Sequence, residues 1–115
     1  MQYVTVPAVS RNLHVRLLEN QARAAEISDA SVYNHVTGEG DWGVICNGVS
    51  HNYISDAVKD LGIQDKIRIL RLGMTYPLPA NLIQDFLRSC QRVLVAEEGE
   101  PVMEEAVRRW PRRPA

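Results

Sequence analysis

Asp41-Trp42-Gly43-Val44-Ile45-Cys46-Asn47-Gly48-Val49-Ser50 is the stretch on which the reading of this chain turns. Trp42 to Cys46 is an apolar run without polar alternation, the pattern of a strand covered on both faces of a parallel sheet. Asn47-Gly48 then forces a tight turn, because both residue types tolerate positive φ. Ser50 is placed to cap a following helix. That helix reaches about Leu61, with Tyr53, Ile54, Ala57, Val58 and Leu61 on its inner face and Gly62 at the C′ position.

Downstream, the same unit recurs twice. Ile67-Arg68-Ile69-Leu70-Arg71-Leu72 reads as a second strand, and its alternation marks one wetter face. Gly73-Met74-Thr75-Tyr76-Pro77-Leu78-Pro79 is a stiff loop, since each proline disfavours helix at the residue before it. Pro79 opens a helix with Leu82, Ile83, Phe86 and Leu87 toward the core. Val93-Leu94-Val95-Ala96 is the third strand. It runs into Glu97-Glu98-Gly99-Glu100-Pro101 and a last helix carrying Val102, Met103, Ala106 and Val107. Strands alternating with helices give an α/β fold, a three-layer α/β/α arrangement with a small, mainly parallel sheet and right-handed crossovers.

Upstream, Gln2 to Pro7 reads as a short extended segment closed by proline. Val9–Ile27 turns helical, with Leu13, Leu17, Leu18, Ala22 and Ala25 near one face. So narrow an apolar stripe needs a partner: the helix either crosses the sheet or connects to another domain. Val32 to Val36 reads as irregular, and Thr37-Gly38-Glu39-Gly40-Asp41 as a loop. The organisation is therefore an N-terminal linker segment over residues 1–40, a βαβαβα core over 41–110 and a solvated tail over 111–115.

Composition sets the outer limits. The 115 residues suffice for one domain with its own core, and 45% hydrophobic with 23% charged residues is ordinary for a soluble protein. A net charge of −1 argues against nucleic-acid or anionic-membrane partners. No apolar run approaches the ~20 residues that span a bilayer, and the N-terminus lacks the pattern of a signal peptide. Cys46 and Cys90 are not spaced as metal ligands. They read as reduced structural thiols of a cytoplasmic protein.

In a parallel sheet, ligands bind beyond the carboxyl ends of the strands. Those ends carry Asn47, Gly48, Ser50 and His51, then Thr75 and Tyr76, then Glu97 and Glu98. Asn47-Gly48-x-Ser50 holds one glycine rather than a G-x-G-x-x-G phosphate turn, so it is a strand-to-helix corner before it is a cradle. His51 could act as a base but sits where a solvent-facing or capping histidine is ordinary. Glu97 and Glu98 are adjacent on extended chain and point apart, so they form no facing acid pair. Glu100, Glu104 and Glu105 fall where a helix dipole favours acids. Arg108, Arg109, Arg112 and Arg113 form a basic chain end without a wider basic field. No catalytic, cofactor-binding or metal-binding residue follows from these patterns. Asn47, Gly48, Ser50, Thr75, Tyr76, Glu97 and Glu98 remain as ligand or domain contacts.

From Tyr3 to about Val107 the chain resembles a segment of the large subunit of the indolepyruvate:ferredoxin oxidoreductase family, within the 2-oxoacid:ferredoxin oxidoreductase group. The residues that carry the resemblance are Tyr3-Val4-x-Val6-Pro7-Ala8 with Arg11 and His14; Tyr33-Asn34; Gly43-Val44-Ile45 with Asn47-Gly48-Val49-Ser50 and Tyr53; Leu72-Gly73-x-Thr75-Tyr76-Pro77-Leu78-Pro79; and Val93-Leu94-Val95-Ala96-Glu97-Glu98-x-Glu100-Pro101 with Glu104. The proline-pinned loop and the Glu-Glu-x-Glu-Pro turn are the most specific. The resemblance implies a transketolase C-terminal-like domain lying between a pyrimidine-binding and a diphosphate-binding domain. It implies a parent that uses thiamine diphosphate, magnesium and iron–sulfur clusters to convert arylpyruvates and coenzyme A to acyl-coenzyme A, with electrons passed to ferredoxin. Partners would be the other domains, a smaller subunit and, through the parent, ferredoxin. No segment matches the diphosphate-binding domain, and the clustered cysteines of an iron–sulfur centre are missing. After Val107 the sequence departs from the family. The chain thus reads as an excised domain or a truncated reading frame, non-catalytic by itself. Two other readings stay open: a free-standing module for a small anionic ligand or nucleotide, and a homo-oligomerising domain whose Val9–Ile27 helix pairs or swaps between chains.

Overall fold

The computed structural model describes residues 6–110. In chain order its elements are α1 (Pro7–Asp29), β1 (His35–Thr37), β2 (Trp42–Asn47), α2 (Ser50–Asp60), β3 (Ile67–Leu72), α3 (Ala80–Ser89), β4 (Arg92–Ala96) and α4 (Val102–Arg109). The Gln2–Pro7 extension falls mostly outside the described residues, as does the tail over 111–115.

The run from Trp42 forms an interior strand. The sheet order is β1-β3-β2-β4, with β2 parallel to both β3 and β4 and β1 antiparallel to β3. Val44 lies beside Ile69 and Leu94, and Ile45 beside Leu70 and Val95. From Gly43 to Cys46 every residue of β2 is buried, as the unbroken apolar run predicts. The outcome is an α/β fold on a small mixed sheet.

Pleating divides the core in two. Val44, Cys46, Ile67 and Ile69 face Ile54 and Val58 of α2. Ile45, Leu70 and Leu72 face Ile83, Phe86 and Leu87 of α3 and Met103 and Val107 of α4. The helices therefore cover both faces, because the chain steps from β2 to β3 in one direction and back across β2 to β4 in the other. Ile45, Leu70, Leu72 and Ile83 are at most 1% exposed, each such side chain contributing about 1.5–3 kcal/mol through burial.

Three expectations need correction. Val32–Val36 and the loop after it were expected to be irregular, yet His35–Thr37 is a strand; all three of its residues are exposed, and pairing with β3 alone defines it. On α2, only Ile54 and Val58 of the expected inner face pack on the sheet, while Tyr53 and Leu61 are 67% and 69% exposed. The helix touches its face with one narrow stripe. Pro79 and Pro101 stand at the N-cap positions of α3 and α4, one residue ahead of their helices.

Close approach explains one glycine within the apolar run. A Cβ on Gly43 would stand 2.8 Å from both Cys90 Sγ and a ring carbon of Phe86, so its absence lets α3 settle on β2. Cys46 and Cys90 are free and buried, and they belong to opposite faces of the sheet. Burial pushes the Cys46 thiol up to about 11, with the Arg71 guanidinium opposing only in part. It is a neutral core side chain.

Candidate functional site

The carboxyl ends of β2 and β4 adjoin where the chain reverses its direction across the sheet, the position at which open α/β folds take ligands. β2 ends at the half-buried Asn47, and Gly48 turns the chain at φ +48. Ser50, read from sequence as an N-cap, is instead the first residue of α2 and is buried; Val49 holds the cap position and no side chain caps it. His51, in the first turn, is half-buried, and its carbonyl accepts a 2.8 Å hydrogen bond from Ser55 Oγ.

At the end of β4 the two acids part company. Glu98 is exposed, but Glu97 turns back onto α4. Its Oε2 accepts from Met103 N at 2.8 Å and its Oε1 from Glu104 N at 2.9 Å. A carboxylate accepting two first-turn amides satisfies donors that the helix cannot and sits at the positive end of its dipole. Glu97→Ala should cost about 1–2 kcal/mol in chemical denaturation, with Glu97→Gln costing less because one acceptor remains. An unchanged midpoint in Glu97→Ala would show that the cap contributes nothing.

Asp29 does the same for α3 from 52 residues away. Its Oδ1 accepts from Asn81 N at 3.0 Å and Leu82 N at 3.3 Å, and its Oδ2 from Asn81 Nδ2 at 2.9 Å. Beside it the buried Asn34 accepts from Gly73 N and Met74 N, both at 2.9 Å, and donates from Nδ2 to Ser28 O at 2.8 Å. These contacts fix the end of α1 against the loop after β3. The Tyr76–Pro77 peptide of that loop is cis. Its Tyr76 hydroxyl accepts a hydrogen bond from Gln21 Nε2 on α1.

A groove of about 540 Å³ runs between this loop, α1 and α4, walled by Gln21, Ala25, Tyr76, Leu78, Val102 and Trp110. Thr75 and Tyr76 line it; Asn47, Gly48, Ser50, Glu97 and Glu98 do not. The seven residues expected from the sequence thus divide among a strand-to-helix corner, a helix cap with its exposed neighbour, and a groove wall. A second hollow of about 550 Å³ lies at the opposite, amino end of β2 and β3, beside Glu39, Asp41, Trp42 and Lys66, where no strand-end rule points. Among the described residues no three His, Cys, Asp or Glu side chains gather as metal ligands. What the carboxyl end offers is apolar contact area rimmed by hydrogen-bonding side chains.

Residues 32–110 match the indolepyruvate ferredoxin oxidoreductase middle domain family. The chain is similar to the indolepyruvate oxidoreductase subunit IorA of Pyrococcus horikoshii, at 40% identity over 111 residues. It is also similar to the subunits of the same name from Methanothermobacter thermautotrophicus, at 38% over 109 residues, and Archaeoglobus fulgidus, at 35% over 106. These alignments take in 95%, 92% and 91% of this chain but 17% of each relative. No solved structure matches it significantly. No helix among the described residues is long and apolar enough to cross a membrane.

Proposed function

Because this chain belongs to the indolepyruvate ferredoxin oxidoreductase middle domain family, we propose that it serves as a packing domain within a thiamine-diphosphate-dependent 2-oxoacid oxidoreductase. In this reading the whole enzyme oxidatively decarboxylates arylpyruvates to acyl-coenzyme A thioesters and passes electrons to ferredoxin. The domain holds neighbouring domains and a smaller subunit in place and contributes no reacting group. The observation that carries the proposal is the family match over residues 32–110, within relatives of which the chain spans 17%.

The donor chemistry agrees with a supporting role. An iron–sulfur cluster takes four thiolates; Cys46 and Cys90 lie on opposite faces of the sheet and cannot share one. Glu97, the most promising acid at the strand ends, is committed to the α4 amides. In this reading the single-glycine turn at Gly48 is a strand-to-helix corner, and thiamine diphosphate with its magnesium is held by other domains of the enzyme.

Three measurements test the reading. Calorimetric titration with thiamine diphosphate and magnesium should give no binding heat, and arylpyruvate with coenzyme A should reduce no electron acceptor in the presence of this chain alone. Grafted in place of the aligned stretch of the Pyrococcus horikoshii subunit, the chain should support that subunit's activity. Decarboxylation by the isolated chain, or an inactive but folded graft, would overturn the proposal.

A further inference from the structure

α1 leaves the rest of the fold with most of its length uncovered. Its C-terminal end is tied down through Ser28 and Asp29, whereas Val15, Leu17 and Leu18 are 57%, 59% and 52% exposed. At 3.6 residues per turn, Arg11, Val15, Leu18, Ala22 and Ala25 recur at spacings of four, three, four and three, the period of a coiled-coil seam. The first four of these are exposed, and Ala25 is half-buried at the groove. Ala25 meets this chain's own groove and Asp29 its α3, while Arg11, Val15, Leu18 and Ala22 stay exposed.

The charges along the helix say what fits it. Arg11, His14 and Arg16 occupy the first half, and Glu19 and Glu26 the second, with Arg23 between them. None of the ion pairs formed among the described residues involves Arg11, Arg16, Glu19 or Glu26. With Arg11 at the head of the stripe and Glu26 beside its foot, the face is complementary to itself only when reversed.

We propose that this face of α1 is a docking surface for α1 of a second copy of the chain, in antiparallel register centred near Leu18. That register sets Arg11 against Glu26 of the other copy and Val15 against Ala22, with the two Leu18 side chains meeting at the two-fold axis. A parallel pair would oppose Arg11 to Arg11 and Glu26 to Glu26. Two helices touching over a few turns bury less than the ~1,200–2,000 Å² of a stable interface, so the pair forms reversibly with concentration.

Sedimentation equilibrium of the full chain, from dilute to near-millimolar protein in low salt, tests this. The average mass should climb from the monomer's 13.0 kDa toward twice that value. Leu18→Glu should remain monomeric throughout with an unchanged circular dichroism spectrum. Arg11→Glu and Glu26→Arg should each weaken association about three- to tenfold. The double variant R11E/E26R should recover it, since reversal restores each cross-pair. A wild-type chain that stays monomeric, a Leu18→Glu chain that still associates, or a double variant as weak as the single ones would overturn the proposal. The grafted subunit can be active whether or not the isolated chain pairs, so failure here is distinct from failure of the functional reading.

Discussion

Gly40→Ala should leave a large fraction of the protein unfolded, or drive it into the insoluble fraction. A Cβ at residue 40 would stand 1.8 Å from the carbonyl carbon of Lys66, 1.9 Å from its oxygen and 2.3 Å from Ile67 N. Those atoms are backbone, and the same Lys66 carbonyl accepts the 3.2 Å hydrogen bond from Trp42 N that begins the β2–β3 ladder. The clash cannot be relieved by a rotamer change. Relief requires the two strand entrances to separate, at a cost of about 4 kcal/mol or more, against a total of roughly 6–17 kcal/mol for a chain of this length. Two other glycines calibrate the effect. At Gly43 the new methyl meets side chains of Cys90 and Phe86, which can yield at about 1–3 kcal/mol. At Gly48 nothing lies within 4 Å, so only the positive φ counts, about 1 kcal/mol. Urea denaturation of the three alanine variants should rank Gly40, Gly43 and Gly48 in falling order of damage. A Gly40→Ala chain as stable as Gly48→Ala would mean that the strand entrances are far looser than described.

How much of this was legible in the sequence depends on whether a feature announces itself locally. The strands β2, β3 and β4 did, because apolar runs bounded by turn residues are a short-range signal. So did Gly62 past the end of α2, with φ +64. β1 did not: His35, Val36 and Thr37 carry no apolar pattern, and only the neighbouring β3 makes them a strand. The cap expected from the adjacent Ser50 is not formed by it, while α3 and α4 are capped by Asp29 and Glu97 from outside their own first turns. Long-range capping leaves no periodic trace. The strand-end rule did bring Glu97 to notice as an exposed contact candidate. Its partners, six and seven residues ahead, turn it inward, and the sequence alone could not say which of two adjacent glutamates would make that turn. Thr75 and Tyr76 were marked by their stiff loop, but the groove they line takes most of its other walls from α1 and α4, which come from the two ends of the chain.

Asn34→Ala should be the most damaging change of a polar residue, because a single amide side chain joins three segments. Asn34 is 6% exposed, and its Oδ1 receives both Gly73 N and Met74 N while its Nδ2 reaches Ser28 O. Truncation leaves Gly73 N its other bond to Tyr33 O at 3.1 Å and leaves Ser28 O the one it accepts from Ser31 N at 3.3 Å, but it removes the acceptor of Met74 N. One orphaned amide at about 1–3 kcal/mol, together with the two further bonds lost at Gly73 N and Ser28 O, implies a loss of about 2–3 kcal/mol. Asn34→Asp keeps the acceptor and discards the donor, placing a carboxylate oxygen against the Ser28 carbonyl, so it should be no milder than alanine. Damage should also be localised. In hydrogen exchange, the amides of Gly73 to Tyr76 and of the last turn of α1 should speed up far more than those of β2, because the latch holds the groove's walls together rather than the sheet. If protection falls evenly across the domain, Asn34 belongs to the cooperative core. If it falls nowhere and the midpoint moves by less than about 1 kcal/mol, α1 is held by the Asp29 cap alone, and the groove at Tyr76 has no fixed wall on that side.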